Sequence, residues 1–363
     1  MEIERILVTG GAGFLGSAIL RELAKLRHDS GFALKEIRVL DRRALGATGQ
    51  GDVVSIVGDV CDPATVLAAC KDVDVVVHAA SLVDWGAATP QELHRINVEG
   101  TENVIRACCE VGVRGLVYTS TMDVVCGRGP VVDADETLPY PSVFTNEYAR
   151  TKASAEQLVL RAHGSPRRSR EAERTPQATL STCALRPCGM FGESDPYHVA
   201  NVLRVVREGK LLFRIGSGRA VFEHVYVGNV AHAHLLAMRR LLEPGNTGTK
   251  VGGQAYFITD DTRTTDFLEF MEQILEPLGY ALPPRSRRAP YSVMFGVAAA
   301  LEAISALCRP FFAFTPTLTR SSLRFVCHDH SFVGDKARRD LGYEPVYSEA
   351  ESIQRTIEYF REP

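Results

Sequence analysis

Short apolar runs alternate with helical patterns through the first half of the chain. The runs have the length of buried strands and lie at residues 3–8, 37–40, 53–57, 73–77 and 115–119. After the first run, apolar residues recur at helical spacing at Ile19, Leu20, Leu23 and Leu26. Strands that alternate with helices form parallel sheets with helices on both faces, so the pattern predicts a doubly wound α/β fold.

A glycine-rich segment, Thr9 to Gly16, joins the first predicted strand to the first predicted helix. Gly10 and Gly13 allow a tight turn in which a pyrophosphate approaches backbone N–H groups at the start of the helix. Gly16 allows the helix and the strand to pack closely. The segment therefore predicts a dinucleotide site, with Phe14 and Leu15 among its contacts.

The second predicted strand ends at Asp41. A carboxylate at this position accepts hydrogen bonds from the adenosine ribose and repels a 2′-phosphate, which favours NAD over NADP. Arg42 and Arg43 follow directly, and a guanidinium there could hold that phosphate. NADP therefore stays open as the less favoured cofactor.

The carboxyl ends of the later strands carry residues suited to the same cleft. Small residues let a cofactor approach the sheet, an acidic and an apolar residue could flank the adenine, and hydroxyls could hold a reacting oxygen. These are Ala79, Ala80 and Ser81 after the fourth strand, Asp59 and Val60 after the third, Thr119 at the end of the fifth, and Ser120 and Thr121 after it.

Tyr148 and Lys152 lie four residues apart, which places both on one face of a helix. A lysine so placed can lower the pKa of the tyrosine, which then acts as an acid or base near neutral pH. The spacing alone is common by chance. The spacing indicates a catalytic pair more strongly here, because it follows the glycine segment and the hydroxyls at residues 119–121.

The second half of the chain predicts a smaller α/β region that binds the substrate. We divide the chain into a cofactor-binding part at 1–187 and a substrate-binding part at 188–363, with 225–258 packing back on the former. Residues 165–176 have the composition of an exposed loop. His232, His234, His328 and His330 lack a ligand pattern, so we expect structural histidines and no metal.

The stretch 289–314 is the most apolar in the second half. Its longest uncharged run, Ala289 to Leu301, has 13 residues and is too short to cross a bilayer of about 30 Å. One interpretation is an interfacial helix flanked by Arg285, Arg287 and Arg288. The others are an apolar wall of the substrate pocket and a buried packing helix.

Composition narrows the class of protein and its compartment. The 363 residues carry a formal net charge of −3, and basic residues do not cluster with aromatic ones, which argues against nucleic-acid binding. The nine cysteines are odd in number and show no Cys-x-x-Cys spacing, which favours reduced thiols. We expect a cytoplasmic protein, with peripheral contact to a membrane facing the cytosol as a further possibility.

The chain resembles the extended short-chain dehydrogenase/reductase superfamily, and within it the 3β-hydroxysteroid dehydrogenase/isomerase family. Besides the Rossmann glycine segment, the resemblance lies in Val117–Thr121, Cys183–Pro187, Val225–Ala231, Gly253–Phe257 and Leu341–Pro345. It covers nearly the whole chain. The later segments are the more specific ones, because relatives that act on nucleotide sugars do not usually carry this set.

The resemblance implies roles for the residues in the predicted cleft. Thr121 would be the catalytic hydroxyl, Tyr148 the acid/base and Lys152 the residue that holds the nicotinamide ribose. The remaining implied positions are Ser120 beside Thr121, Asn97 in a supporting role, and Pro187 and Cys188 against the nicotinamide. A homodimer formed through helices at 90–111 and 148–163 is also implied.

The implied activity is NAD-dependent oxidation of the 3β-hydroxyl of a steroid or sterol to the ketone, or the reverse. Decarboxylating oxidation of a 4-carboxysterol and reduction of a long-chain 2-alkyl-3-oxo acid would use the same site. More distant alternatives are a nucleotide-sugar epimerase and a non-catalytic redox-sensing protein. Δ5–Δ4 isomerisation is in doubt, because the segment Thr265–Pro277 lacks the second tyrosine/lysine pair and offers only Asp266, Glu269, Glu272 and Glu276.

Overall fold

A seven-stranded parallel sheet forms the centre of the protein. The structure is a computed structural model that describes residues 3–26, 34–46, 53–84, 88–168, 178–243, 250–308, 316 and 318–361. The strands of the sheet are β1 (Arg5–Thr9), β2 (Glu36–Asp41), β3 (Val53–Val57), β4 (Val75–His78), β5 (Gly115–Thr119), β7 (Ser181–Pro187) and β11 (Gln254–Ile258). Their order is β11-β7-β5-β4-β1-β2-β3, which confirms the doubly wound fold.

The helices cover both faces of this sheet. In chain order they are α1 (Phe14–Leu26), α2 (Pro63–Cys70), α3 (Pro90–His94), α4 (Gly100–Val111), α5 (Glu147–Arg161), α6 (Val199–Arg207), α7 (Val227–Leu242), α8 (Phe267–Leu275), α9 (Tyr291–Cys308), α10 (Arg320–Cys327), α11 (Asp335–Leu341) and α12 (Glu349–Arg361). A π-helical turn, Arg95–Glu99, joins α3 to α4. Alternate residues of β1 therefore face two separate apolar layers, with Ile6 and Val8 in one and Leu7 in the other.

Small parallel strand pairs build the rest of the protein. They are β6 (Val131–Ala134) with β13 (His330–Phe332), β8 (Gly189–Phe191) with β10 (His224–Tyr226), and β9 (Arg214–Ile215) with β12 (Arg288–Ala289).

Two predicted elements differ from the observed ones for local physical reasons. The strand predicted at 73–77 begins only at Val75, because the backbone N–H of Val73 donates to the carbonyl of Cys70 at 3.2 Å in the turn after α2. The helix predicted over 90–111 is interrupted by the π-helical turn. Of the loop predicted at 165–176, residues 169–176 lie outside the described residues.

The strand order reverses between β1 and β4, and there the backbone of the glycine segment comes close to that of the loop after β4. Gly10 has a φ of +73°, and a Cβ on it would lie 2.7 Å from the backbone nitrogen of Ala80. A Cβ on Gly16 would lie 2.1 Å from the carbonyl oxygen of Gly10. Only glycine fits both positions, so the glycine segment leaves an open cleft above the sheet.

Asn229 holds the C-terminal segment against α7. Its Oδ1 accepts the backbone N–H groups of Val346 and Tyr347, both at 2.9 Å. Its Nδ2 donates to the Asp260 carboxylate at 2.8 Å and to the carbonyl of Tyr347 at 3.0 Å. The side chain is fully buried and uses its whole hydrogen-bonding capacity.

Helix α9 lies mostly on the surface. Of its described residues only Ala298 is buried, whereas Val293 is 57% and Leu307 75% exposed. Its one charged residue, Glu302, accepts the Arg320 side chain at 2.6 Å. The helix is therefore not a buried packing helix. Because it continues through Glu302 to Cys308, it is longer than the uncharged run 289–301, and by length and composition alone it could span a membrane, contrary to the expectation from that run. Residues 309–314 of the apolar stretch lie outside the described residues.

His224 is buried among aromatic rings and stacks on Phe270 with ring centroids 3.8 Å apart. Burial, together with the neighbouring His198, lowers the pKa of His224 well below its ordinary value. The ring is therefore neutral in the folded protein, whereas in the unfolded chain it takes up a proton below about pH 6.5.

The free energy of unfolding should therefore fall as the pH drops below about 6.5, because only the unfolded state binds the proton. Replacing His224 with Leu should reduce the loss between pH 7.5 and pH 5.5 by about 1 kcal/mol. Urea denaturation at the two pH values measures this. The exposed His94, changed to Leu, is the control, and an equal pH dependence in wild type and His224→Leu would contradict the prediction.

Candidate active site

A cleft of about 280 Å³ opens at the carboxyl ends of β1, β2, β4 and β5. Most of the residues predicted for the cofactor and for catalysis line it: Gly10, Gly13, Phe14, Leu15, Gly16, Asp41, Arg42, Asp59, Val60, Ala79, Ala80, Ser81, Thr119, Ser120, Tyr148 and Lys152. Residues far apart in sequence thus meet where the strands of a doubly wound sheet bind ligands.

Asp41 connects the end of β2 to the glycine segment. Its Oδ2 accepts the backbone N–H of Ala12 at 3.0 Å and its Oδ1 that of Arg43 at 2.9 Å. The Arg43 guanidinium in turn donates to the carbonyl of Ala12 at 2.6 Å. These bonds hold a carboxylate at the rim of the cleft, in the position expected for contact with a ribose.

A chain of hydrogen bonds runs beneath the cleft from β4 to the turn before α4. Thr9 accepts the backbone N–H of Ala80 at 3.2 Å and bonds the His78 Nδ1 at 2.7 Å. The His78 Nε2 lies 3.0 Å from the Thr101 hydroxyl, which donates to the carbonyl of Asn97 at 2.6 Å. Burial and the charge of Lys152 lower the pKa of His78 to about 3, so the imidazole is neutral. If His78 carries its proton on Nε2, the Thr9 hydroxyl, both ring nitrogens of His78 and the Thr101 hydroxyl all have hydrogen-bond partners.

Asn97, on the π-helical turn, connects the loop after β4 to helix α5. Its Oδ1 accepts from Ser81 at 3.1 Å and from the backbone of Leu82 at 2.8 Å. Its Nδ2 donates to Thr151 at 3.2 Å. Asn97 is buried and does not line the cleft, so its contacts position the surrounding elements.

Lys152 is held beneath the cleft on helix α5, which begins after the N-cap residue Asn146. The ammonium donates to the carbonyl of Thr119 at 2.6 Å and lies 4.2 Å from the ring centroid of Tyr118. The side chain is 2% exposed, and this burial lowers the pKa of Lys152 to about 7, against the raising effect of Glu156.

Tyr148 lines the cleft, and its phenol interacts with the Thr121 side chain. Burial raises the pKa of Tyr148 well above its ordinary value, the charges of Asp123 and Tyr197 raise it further, and a hydrogen bond with Thr121 lowers it. The four-residue spacing predicted that Lys152 would lower this pKa. In the structure desolvation is the largest cause and raises the pKa, so the described residues by themselves keep the phenol protonated.

Asp123 is a member of the site that the sequence analysis did not identify. The Thr121 hydroxyl donates to its Oδ2 at 3.0 Å, and its backbone N–H donates back to the Thr121 Oγ1 at 3.2 Å. Burial raises the pKa of Asp123 to about 6. The sequence offered one signal for this residue, a carboxylate two positions after the predicted hydroxyl of Thr121. The two side chains meet because a short 3₁₀ turn, Met122–Val125, follows Thr121.

Pro187 and Cys188 do not line the cleft. Pro187 ends β7 beside Ile258 of β11, and Cys188 is 4% exposed. Further residues line the cleft that the sequence analysis did not assign to it, including Gly58, Leu82, Val83, Ile96, Met190 and Tyr197. Thr121 contacts Tyr148 from outside the lining.

All nine cysteines are free, and no group of His, Cys, Asp or Glu among the described residues is arranged to hold a metal.

Two further cavities adjoin the cleft. Tyr148 also lines a small cleft of about 20 Å³ that contains Asp123, Arg324 and His328. Tyr197 also lines a cavity of about 250 Å³ whose walls are largely apolar and aromatic, among them Val202, Leu211, Phe213, Phe267, Leu323 and Val326. Phe325 borders both, so the small cleft and the apolar cavity meet at this side chain.

The chain is similar to known proteins both in sequence and in fold. Residues 7–288 match the model of the 3-beta hydroxysteroid dehydrogenase/isomerase family. The chain is 38% identical to human 3 beta-hydroxysteroid dehydrogenase type 7 over 97% of this chain and 94% of that protein. It is 36% identical to 3beta-hydroxysteroid-dehydrogenase/decarboxylase isoform 1 of Arabidopsis thaliana, over 99% and 80% of the two chains. The fold is similar to that of Thermus thermophilus UDP-glucose 4-epimerase in complex with NAD, with a TM-score of 0.69, 24% identity and 99% coverage of both chains.

The buried lysine should reduce the stability of the unliganded protein. Replacing Lys152 with Met removes a desolvated ammonium, and we expect the free energy of unfolding at pH 7 to rise by about 2 kcal/mol. Because the unfolded lysine keeps its proton to about pH 10.5 while the folded one loses it near pH 7, this difference should shrink as the pH rises. Urea denaturation at pH 7 and pH 9 measures both effects. A Lys152→Met protein less stable than wild type at pH 7 would contradict this account.

Proposed function

The chain belongs to the 3-beta hydroxysteroid dehydrogenase/isomerase family, and from this membership and the site we propose that it is an NAD-dependent steroid or sterol oxidoreductase. It oxidises a 3β-hydroxyl to the ketone, or reduces the ketone. The observation that carries the proposal is the position of Tyr148, which lines both the glycine-segment cleft and the small cleft that adjoins the apolar cavity.

The cleft at 10–16 fits a dinucleotide. Gly10 and Gly16 have no side chain, and neighbouring backbone occupies the space where one would lie. The N–H groups at the start of α1 are available to a pyrophosphate. The Asp41 carboxylate at the rim favours NAD over NADP, although Arg42 also lines the cleft. Solved structures of similar fold contain NAD. When bound, NAD accepts or donates the hydride at its nicotinamide ring.

The protein residues position the substrate and move its proton. Tyr148 and Thr121 would hold the substrate hydroxyl, and Tyr148 would exchange the proton with it. Lys152 would hold the cofactor ribose and bring positive charge near the phenol. Ser120 is buried and lines the cleft beside Thr119, which places a second hydroxyl near the reacting groups.

The apolar cavity next to Tyr197 supports a bulky apolar substrate. Its lining is built from α6, α8 and α10, and it has a size suited to part of a steroid skeleton. A nucleotide sugar would need charged partners for its phosphates. The described lining, by contrast, is dominated by Leu, Val and Phe, which favours the sterol over the epimerase alternative.

Decarboxylating oxidation of a 4-carboxysterol is a second candidate. A relative named as a dehydrogenase/decarboxylase is 36% identical. Arg324, a half-buried cation, lines the same small cleft as Tyr148 and could pair with a carboxylate beside the reacting hydroxyl. We do not propose isomerisation, because the acidic residues near α8 are engaged: Asp266 caps the helix, Glu269 pairs with Arg285 and Glu272 with Arg214.

We also propose that the exposed face of α9 contacts a membrane that faces the cytosol. The 18-residue helix is about 27 Å long, and its one charge is neutralised by Arg320. A sterol dissolves in lipid, and α9 packs against α10, which lines the apolar cavity. We propose in addition that the cofactor-binding part ends at residue 187 and that two copies of the chain form a homodimer through α3, α4 and α5. Sedimentation tests the dimer.

A substrate panel tests the proposed activity. Purified protein with NAD, and in parallel NADP, should reduce NAD when given a 3β-hydroxysteroid. Release of carbon dioxide from a 4-carboxysterol would identify the decarboxylating reaction, and turnover of a 2-alkyl-3-oxo acid alone would contradict the steroid assignment. Replacing Tyr148 with Phe should lower turnover by about 10³-fold and leave NAD affinity unchanged, because only the proton transfer is lost.

Binding to lipid vesicles tests the membrane contact. Replacing Val293 of α9 with Asp should reduce co-sedimentation with phosphatidylcholine vesicles, because a charge then enters the apolar face. The control is Val57→Asp, which changes a valine of similar exposure on β3. Equal binding by wild type and both variants would contradict a contact through α9.

A further inference from the structure

Tyr197 is the side chain at which the dinucleotide cleft and the apolar cavity meet. Among the described residues it is the only one that lines both the cleft of about 280 Å³ and the cavity of about 250 Å³. We propose that the Tyr197 ring packs against NAD on one side and against the steroid on the other, and so couples the binding of the two ligands. The inference rests on the proposed function, because it concerns the same two ligands.

Hydride transfer requires the two ligands to touch where the cleft and the cavity border each other. A hydride passes between the substrate carbon and the nicotinamide ring only when the reacting atoms are about 3–3.5 Å apart. NAD in the cleft and a steroid in the apolar cavity must therefore meet at their common border, and Tyr197 lies there. The other connection is indirect, because Tyr148 borders the cleft and the small cleft, and Phe325 borders the small cleft and the apolar cavity.

The backbone that carries Tyr197 is held in place by one buried carboxylate. Asp195 is 1% exposed, and its Oδ1 accepts the backbone N–H groups of Tyr197 at 2.8 Å and His198 at 3.1 Å. Its Oδ2 accepts the N–H of Val199, the first residue of α6, at 2.8 Å. The buried His198 ring packs edge-on against Phe267 with ring centroids 5.6 Å apart. The base of the Tyr197 side chain is thereby fixed between the cleft and the cavity.

The turn before Tyr197 is strained. Ser194 has a φ of +63°, in the left-handed region that favours glycine. Residues other than glycine adopt this conformation at a cost, and they cluster at ligand sites where the surrounding contacts hold them. Ser194 directly precedes Asp195, so the strain lies in the turn that presents the Tyr197 ring.

The outer end of the Tyr197 side chain, by contrast, is not fixed. The residue is half-buried, and its hydroxyl has no hydrogen-bond partner within the part of the chain that the structure describes. A ring held only at its backbone can turn about its side-chain bonds, and a ligand packed on either side would restrict it. The second ligand then binds against a ring that is already ordered and loses less conformational entropy, which gives positive coupling.

The test measures the affinity for NADH with and without 5α-androstan-3β-ol, a steroid whose only functional group is the 3β-hydroxyl. These two ligands cannot react with each other, so binding is separated from turnover. In wild type, saturating steroid should lower the dissociation constant of NADH by about fivefold or more. By linkage, NADH should lower the dissociation constant of the steroid by the same factor. The fluorescence of NADH measures the first effect and calorimetry the second.

Substitutions of Tyr197 assign the coupling to its ring. In Tyr197→Ala the coupling factor should fall to about 1, because the shared wall is removed. Tyr197→Phe keeps the ring and should keep the factor, whereas Tyr197→Leu keeps an apolar side chain without a ring and should reduce it. Two matched controls shorten a side chain on one side only, Val83→Ala in the cleft and Val202→Ala in the apolar cavity. Each should weaken only its own ligand and leave the factor unchanged.

The outcomes separate the coupling from the proposed function. Wild-type coupling retained in Tyr197→Ala or Tyr197→Leu, or lost in Tyr197→Phe, would overturn the proposal, and Tyr197→Leu decides if Tyr197→Ala does not fold. Loss of coupling in both control variants would overturn its assignment to Tyr197. Wild type that binds both ligands without coupling would overturn the proposal and leave the proposed function intact. Coupled binding without oxidation of the steroid by NAD would contradict the proposed function and leave the coupling standing.

Discussion

Polar groups buried where β1, β4 and β5 end must find hydrogen-bond partners inside the protein, and this requirement holds the site together. His78 satisfies Thr9 and Thr101, and Asn97 connects the loop after β4 to α5. The carbonyl that ends β5 accepts the Lys152 ammonium. The sheet, the π-helical turn and helix α5 are thereby fixed relative to one another. Because the backbone at Gly10 lies close to that of Ala80, the space above these elements stays open.

The sequence predicts this part of the molecule well because its signals are local. A glycine segment between an apolar run and a helical pattern has few structural solutions, and strand ends in a parallel sheet meet at one edge. Asp41, Ala80 and Lys152 therefore line the cleft as predicted. The interruption of the helix at 95–99 was not predictable, since nothing in its periodicity marks the π-helical turn that Asn97 occupies.

What the sequence could not supply depends on contacts between distant residues. The pKa of Tyr148 follows from desolvation and from the charge of Asp123, neither of which the Tyr-x-x-x-Lys spacing encodes. Cys188 was expected in the cleft but is buried, and Met190 lines the cleft in its place. The apolar helix α9 could be read as buried or interfacial, and only its packing shows that one face is left exposed.

The central claim is that this chain transfers a hydride between NAD and carbon 3 of a steroid, with Tyr148 next to the reacting oxygen. The most direct measurement uses a 3β-hydroxysteroid that carries deuterium on carbon 3 and follows the label by mass spectrometry. The account predicts that the deuterium appears in the reduced nicotinamide and that oxidation is slowed by the heavier isotope. Ketone formation with the label lost to water or kept in the steroid would contradict it.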